Sequence, residues 1–259
     1  MNLVEGNSVK KSLKEGKVVL GTMVNEFSNP EVVRLLGAAG FDFVMVDTEH
    51  GPFTLETVAD MVRAAKSTDL MVLARVPTAD YFHVAKTLDQ GVHGIMIPHT
   101  EDVQQVRMAV DAAKYPPMGQ RSYGIRSIIT DYRPSTVKEQ IQRLNENTVV
   151  IIQIESQKAI DHIEDLVSIE GVDVALIGPN DLSISLGCPG ELNHPKMVSA
   201  IARVVEAAEK HGVAAGNHIR DMKLLKEWRD RGMRVLMYST DSGFMFSAAK
   251  DAVQALRSP

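Results

Sequence analysis

Eight short, almost wholly apolar runs punctuate the chain, at 18–24, 43–46, 70–76, 94–98, 148–154, 172–177, 212–216 and 234–238. They are rich in Val, Ile, Leu and Met and show little polar alternation, the pattern of parallel strands buried on both faces. Amphipathic stretches fill the intervals, at 30–39, 55–66, 79–88, 101–114, 156–167, 195–210, 221–231 and 242–256. In 101–114, for example, Val103, Val106 and Val110 fall on one side of a helix. Eight strand–helix repeats in about 250 residues is the arithmetic of a closed (β/α)8 barrel. A doubly wound open sheet is the alternative, although it usually carries fewer strands. The expected organisation is one barrel domain over residues 1–259.

One interval is longer than the rest. Between 114 and 148 lies YPPMGQRSYGIRSIITDYRPS, followed by a further helical pattern at 137–145. The segment reads as a surface excursion, or as a subunit contact or active-site cover, because long ordered loops in compact domains are often functional. Composition then narrows the function classes. A hydrophobic share of 44% and a charged share of 24% are ordinary for a soluble globular chain. A net charge of −5 offers no basic face to nucleic acid. No apolar run approaches the roughly 20 residues that cross a bilayer. The segment MNLVEGNSVKKSLKEGK lacks the apolar core of a signal peptide, so a cytoplasmic protein is expected. The one cysteine, Cys188, excludes an internal disulfide and a cysteine-based zinc cluster, and reads as a structural thiol.

In such a barrel, catalytic groups stand at the C-terminal ends of the strands. The second strand ends VMVDTEHG and delivers Asp47, Glu49 and His50. The third ends LARVP, with Arg75 at its rim. The fifth ends IIQIES, with Gln153 and Glu155, and the sixth ends ALIGPNDLS, with Gly178, Asn180 and Asp181. Singly, each has an ordinary explanation: Asp181 as a helix cap, Glu155 in a surface pair, His50 as a loop histidine. Together they offer a base, a cation and two carboxylates to one opening. Two carboxylates with open neighbouring positions suit Mg2+ or Mn2+, which keep waters and take substrate oxygens. An arginine can stabilise an oxygen that becomes negative, and a histidine can move a proton near neutral pH. Such a set suits metal-assisted enolisation of an α-keto acid.

The motifs GFDFVMVDTEHGP, LARVP, LDQGVHGIMIPHTED, YPPMGQRS, VVIIQIES and GVDVALIGPNDLSISLG occur together between about Leu20 and Ala255. On these the chain resembles the HpcH/HpaI aldolases, metal-dependent (class II) pyruvate aldolases of the 2,4-dihydroxyhept-2-ene-1,7-dioate or 2-dehydro-3-deoxyglucarate aldolase type. The resemblance implies a pyruvate-enolate (β/α)8 barrel whose eighth helix is exchanged with a neighbouring subunit, in a homotrimer or homohexamer. It implies a carbon–carbon lyase that reversibly cleaves a 4-hydroxy-2-oxo acid to pyruvate and an aldehyde through a metal-bound pyruvate enolate. It places the metal on Glu155 and Asp181, the base on His50, its acidic partner on Asp89 and the keto-oxygen contact on Arg75. Substrate contacts fall on Arg75, Gln153, Gly178, Asn180 and Asp181. The ion implied is Mg2+ or Mn2+, with Co2+ a further option.

Asp89 rests on the resemblance alone; by itself it reads as a helix C-terminal residue before Gly91. The stretch Arg121–Ser122–Tyr123 departs from the family's usual RG after YPPxG. Asn25, His99 and His218 also fall on the expected top face. Rival activities through the same enolate are an oxaloacetate decarboxylase and a macrophomate-synthase-like enzyme. More distant rivals are a CoA-thioester lyase and a non-catalytic barrel that binds 2-oxo acids.

Overall fold

A computed structural model describes residues 6–258. In chain order it contains α1 (Ser8–Lys14), β1 (Val19–Val24), α2 (Glu31–Ala38), β2 (Phe43–Asp47), α3 (Leu55–Ala65), β3 (Met71–Arg75) and α4 (Tyr81–Leu88). There follow β4 (Gly94–Ile97), α5 (Val103–Ala113), α6 (Ser127–Thr130), α7 (Val137–Asn147), β5 (Val149–Ile154), α8 (Gln157–Asp161) and α9 (Ile163–Val167). The chain ends with β6 (Val174–Ile177), α10 (Pro179–Ser185), α11 (Pro195–Lys210), β7 (Ala214–Ile219), α12 (Met222–Asp230), β8 (Val235–Thr240) and α13 (Asp241–Arg257). All strand pairs are parallel, and β8 returns to β1, so the sheet closes into a (β/α)8 barrel.

The continuous apolar runs have a two-sided explanation. Phe43 and Met45 of β2 point into the barrel, where they pack with Met23, Met71, Leu73, Met96 and Met237. Val44 and Val46 of the same strand point outward, into the layer beneath the helices. Both faces are dry, so polar alternation never develops. Phe43 occupies space that Gly21 of β1 leaves empty, since a Cβ at Gly21 would overlap its ring. Strand register brings Asp47 beside Arg75 and Ile154 beside Ile177, levelling the strand ends at one opening.

Four local differences from the sequence reading have physical causes. The segment at 8–14 is a helix, capped by the Asn7 side chain, whose Val9 and Leu13 close the bottom of the barrel. Two apolar residues in seven gave no periodic signal there. The amphipathic stretch 156–167 breaks at His162 into α8 and α9. Strand β7 runs on past 216 through the polar Asn217 and His218, which an apolar search excludes. Its neighbour β8 runs on to Thr240, through Ser239 at a left-handed φ of 58°. The register of β1 against β8 shifts between Gly21 and Met23, the signature of a bulge.

Candidate active site

The C-terminal strand ends surround a cavity of about 600 Å3. Its wall includes His50, Arg75, Gln153, Gly178, Asn180 and Asp181, six of the eight residues expected at the site. Glu155 adjoins this group through Gln153, whose Nε2 donates to Glu155 Oε2 at 2.7 Å.

Arg75 is the most constrained of these side chains. Its Nε donates to Asp47 Oδ1 at 2.9 Å and its Nη2 to Asp47 Oδ2 at 2.6 Å. Its Nη1 lies 3.0 Å from Glu49 Oε2. The backbone N–H groups of Glu49 and His50 also donate to Asp47 Oδ1, at 3.1 and 3.2 Å. Burial alone would raise the Asp47 pKa, but the Arg75 guanidinium and these N–H groups hold it below the usual carboxylate range. Burial likewise opposes the charge on Arg75, and Asp47, Glu49 and Glu155 override it. The result is a fixed cation with a planar fork, aimed by two carboxylates.

Glu155 has the opposite tendency. Burial raises its pKa, and the nearby Asp181 and Glu49 charges add to the rise, against the stabilising contact from His99. Its Oε1 accepts the backbone N–H of His99 at 2.6 Å. The His99 ring then bridges two acids: Nδ1 lies 3.0 Å from Glu155 Oε1 and Nε2 lies 3.0 Å from Glu49 Oε1. A left-handed φ of 49° at His99 sets this ring position.

Gly178 and the short helix α10 form the wall beside Glu155. A Cβ at Gly178 would overlap Glu155 Oε2 and press on Gln153 Nε2. Only glycine leaves room there. Pro179 opens α10, and Asp181 lies in its first turn, exposed to the cavity. The chain's one thiol, Cys188, is sealed in the loop behind α10, where its N–H donates to Ser183 O at 2.9 Å.

This donor set fits a hard divalent ion. Glu155 and Asp181 are oxygen donors whose mutual repulsion a cation would relieve. Among the described residues no group of three His, Cys, Asp or Glu side chains forms a closed metal cage. Two carboxylates with room for water and substrate oxygens fit Mg2+ or Mn2+ better than a structural zinc.

Two expected residues lack the mutual contact expected of them. The His50 ring is 70% exposed, and its Nε2 is 3.8 Å from Glu49 Oε2, beyond hydrogen-bond reach. Asp89 caps the C-terminus of α4 and accepts from Arg121 Nη2 at 2.8 Å. Arg121 in turn stacks over Tyr115, 4.9 Å from the ring centre. Within one chain, Asp89 therefore meets Arg121 and not His50. Sequence reasoning also passed over Asp241. Its carboxylate accepts the N–H groups of Asn25, Glu26 and Phe27, at 3.3, 3.2 and 2.8 Å, tying the loop after β1 to α13. Those partners lie more than 200 residues away, so no local pattern announces them.

A family model for HpcH/HpaI aldolase/citrate lyase matches residues 23–248. The chain belongs to this family. It is 30% identical to the 5-keto-4-deoxy-D-glucarate aldolase of Klebsiella pneumoniae, over 99% of both chains. It is 32% identical to the 4-hydroxy-2-oxovalerate aldolase of Novosphingobium aromaticivorans, over 97% of this chain and 94% of that one. The crystal structure of an HpcH/HpaI aldolase from Desulfitobacterium hafniense DCB-2 superposes with a TM-score of 0.92 at 36% identity. That match covers 96% of this chain and 97% of the other. Membership makes the protein a carbon–carbon lyase acting on small molecules, in a family generally dependent on a divalent metal. No helix among the described residues is long and apolar enough to cross a membrane.

Proposed function

We propose that the protein reversibly cleaves a 4-hydroxy-2-oxo acid into pyruvate and an aldehyde, with Mg2+ or Mn2+ held by Glu155 and Asp181. The observation that carries this reading is the Arg75 fork, fixed by Asp47 and Glu49 beside the Glu155 carboxylate. A bound divalent ion supplies a Lewis acid for the 2-oxo group. Arg75 donates to the C2 oxygen as negative charge grows on it, with no reorganisation at that moment. Gly178 and Asn180 line the place for the substrate carboxylate, and Gln153 orients Glu155.

His50 takes the proton of the C4 hydroxyl. The C3–C4 bond breaks, its electron pair becomes the C2–C3 double bond of the enolate, and the aldehyde leaves. Protonation of C3 then gives the methyl group of pyruvate. Cleavage by this route needs no lysine imine, and no lysine lines the cavity.

Asp89 is the acidic partner of a His50 across a subunit boundary in this reading. Its support is that, within the chain, the Asp89 carboxylate is taken up by Arg121 and makes no hydrogen bond to His50. An assembly, a homotrimer or homohexamer with α13 exchanged, is supported by α13 itself. Of its 17 residues only Asp241 is buried, while Met245, Phe246, Val253 and Leu256 are exposed.

Proton NMR of pyruvate in D2O tests the reading. Wild type with added Mg2+ or Mn2+ (the latter removed before reading) is expected to exchange the methyl protons, and His50→Ala or chelation to stop it. No exchange by the metal-loaded wild type would overturn the aldolase reading and favour a barrel that only binds 2-oxo acids.

A further inference from the structure

Two arginines line the cavity, Arg75 at the end of β3 and Arg220 just beyond β7. The two strands are four apart in the closed order, so these cations face each other across the opening. Their surroundings differ. Arg75 is ion-paired with Asp47 and Glu49. Arg220 is exposed and makes no hydrogen bond or ion pair among the described residues. The nearest acid in sequence, Asp221, is committed to the N-terminus of α12, accepting from Lys223 N at 2.9 Å and Leu224 N at 3.0 Å. Of the cavity-lining acids, Asp47 belongs to Arg75, and Asp181 is assigned above to the ion. Arg220 thus presents an unmatched positive charge to whatever fills this side of the cavity.

The wall around it is polar as well. His218 Nε2 donates to Ser239 O at 2.8 Å, a carbonyl turned by the left-handed φ of Ser239 and shared with Thr22 Oγ1 at 3.2 Å. Burial lowers the pKa of this ring, and the Arg75 and Arg220 charges act the same way, against the Ser239 hydrogen bond and the Asp47 charge. With Nε2 carrying the hydrogen, Nδ1 is left as an acceptor. Across the β8–β1 junction, Asn25 Oδ1 is buried with no partner. An apolar ligand here would leave both acceptors without partners and offer nothing to the cation, which discriminates against it.

We propose that the aldehyde half of the substrate ends in an anionic group, a carboxylate or a phosphate, bound by Arg220. Pyruvate's atoms occupy the side walled by β3, β5 and β6, and the anionic end lies against β7. His218 and Asn25 accept hydrogen bonds from hydroxyl groups between the two ends. This assignment rests on the aldolase reading and gives its substrate class.

The test is condensation of pyruvate with matched aldehydes. Succinic semialdehyde is compared with butanal, and D-glyceraldehyde 3-phosphate with D-glyceraldehyde; the two pairs separate a carboxylate from a phosphate. Wild type is expected to favour the anionic member of at least one pair in kcat/KM. Arg220→Gln should cut that preference by roughly 10- to 100-fold, the scale of losing a hydrogen bond to a charged group. Arg220→Lys should restore part of it, because the charge returns without the fork. A preference unchanged in Arg220→Gln overturns the proposal. So does a wild type that refuses both anionic aldehydes or uses neutral ones equally well. Pyruvate methyl exchange by wild type is read in the same samples. If exchange is present and the preference does not move, the Arg220 assignment alone fails. If exchange is absent, the aldolase reading fails with it.

Discussion

The barrel buries charged side chains at both ends and uses them differently. At the bottom, Lys114 is 0% exposed, and its Nζ donates to two main-chain carbonyls, Asn145 O at 2.8 Å and Thr148 O at 2.7 Å. Lys10 of α1 adds a bond to Thr148 O at 3.0 Å and an ion pair with Asp173 at 2.9 Å. Asn7 donates to His93 O and Asn147 O. Helix α1 closes this end over its own ligands. At the top, Arg75, Asp47, Glu49, His99 and Glu155 bind one another, and the rim opens on a cavity. Buried charge that serves the backbone holds the fold; buried charge held by other charges beside an opening is held ready for a ligand.

The sharpest way to break this contrast is Arg75→Ala. Loss of one fixed donor to a developing oxyanion costs about 100- to 1,000-fold in kcat. The same change strands Asp47 and Glu49, so urea unfolding should also show a loss of about 3–5 kcal/mol. Arg75→Lys is expected to recover stability more than turnover, because an ammonium cannot reproduce the bidentate fork. Full turnover in that variant would remove the role given to the guanidinium.

Glu155→Gln comes next. It is expected to weaken Mn2+ binding, followed by calorimetry, by more than the roughly 10- to 100-fold typical of a group behind the ligands. It also removes the acid whose pKa burial and Asp181 raise, so apo stability should change little or rise. A variant with unaltered Mn2+ affinity would place the ion elsewhere.

Lys114 gives the smallest effect on turnover and a specific one on stability. Burial, with the Lys10 charge behind it, lowers its pKa to about 7. The unfolded chain, near 10.4, binds this proton more readily than the folded one. Stability from this group therefore rises with pH between about 7 and 10, by at most about 1.4 kcal/mol per pH unit. Urea titrations at pH 7.5, 8.5 and 9.5 should show that slope in wild type and a flatter one in Lys114→Met. Turnover at fixed pH should follow stability alone.

Much of the barrel was legible because its strands are dry on both faces, so each apolar run announces itself. Where a strand carries site residues the signal fails: Asn217 and His218 interrupt the apolar run of β7, which by pattern alone ends at Gly216. Helix α1 was illegible because a plug needs only Val9 and Leu13. At the site, Arg75 and Glu155 were readable from strand-end position, since closing a barrel levels its strand ends. Arg220 was not, because a lone arginine after a strand looks like any solvated charge until the cavity and its missing partners are known. Asp89 came from family resemblance, and the folded chain gives it Arg121 as its companion.

Cys188 turns the architecture into its own stopwatch. The thiol is 2% exposed and lies behind the helix that follows Gly178 and carries Asp181. An alkylating reagent reaches it when that corner of the barrel lets go, and no second thiol confuses the reading. The rate of labelling then counts local openings one by one. A divalent ion that ties Asp181 to Glu155 should slow the count, reporting occupancy of the site without a substrate, a product or a turnover.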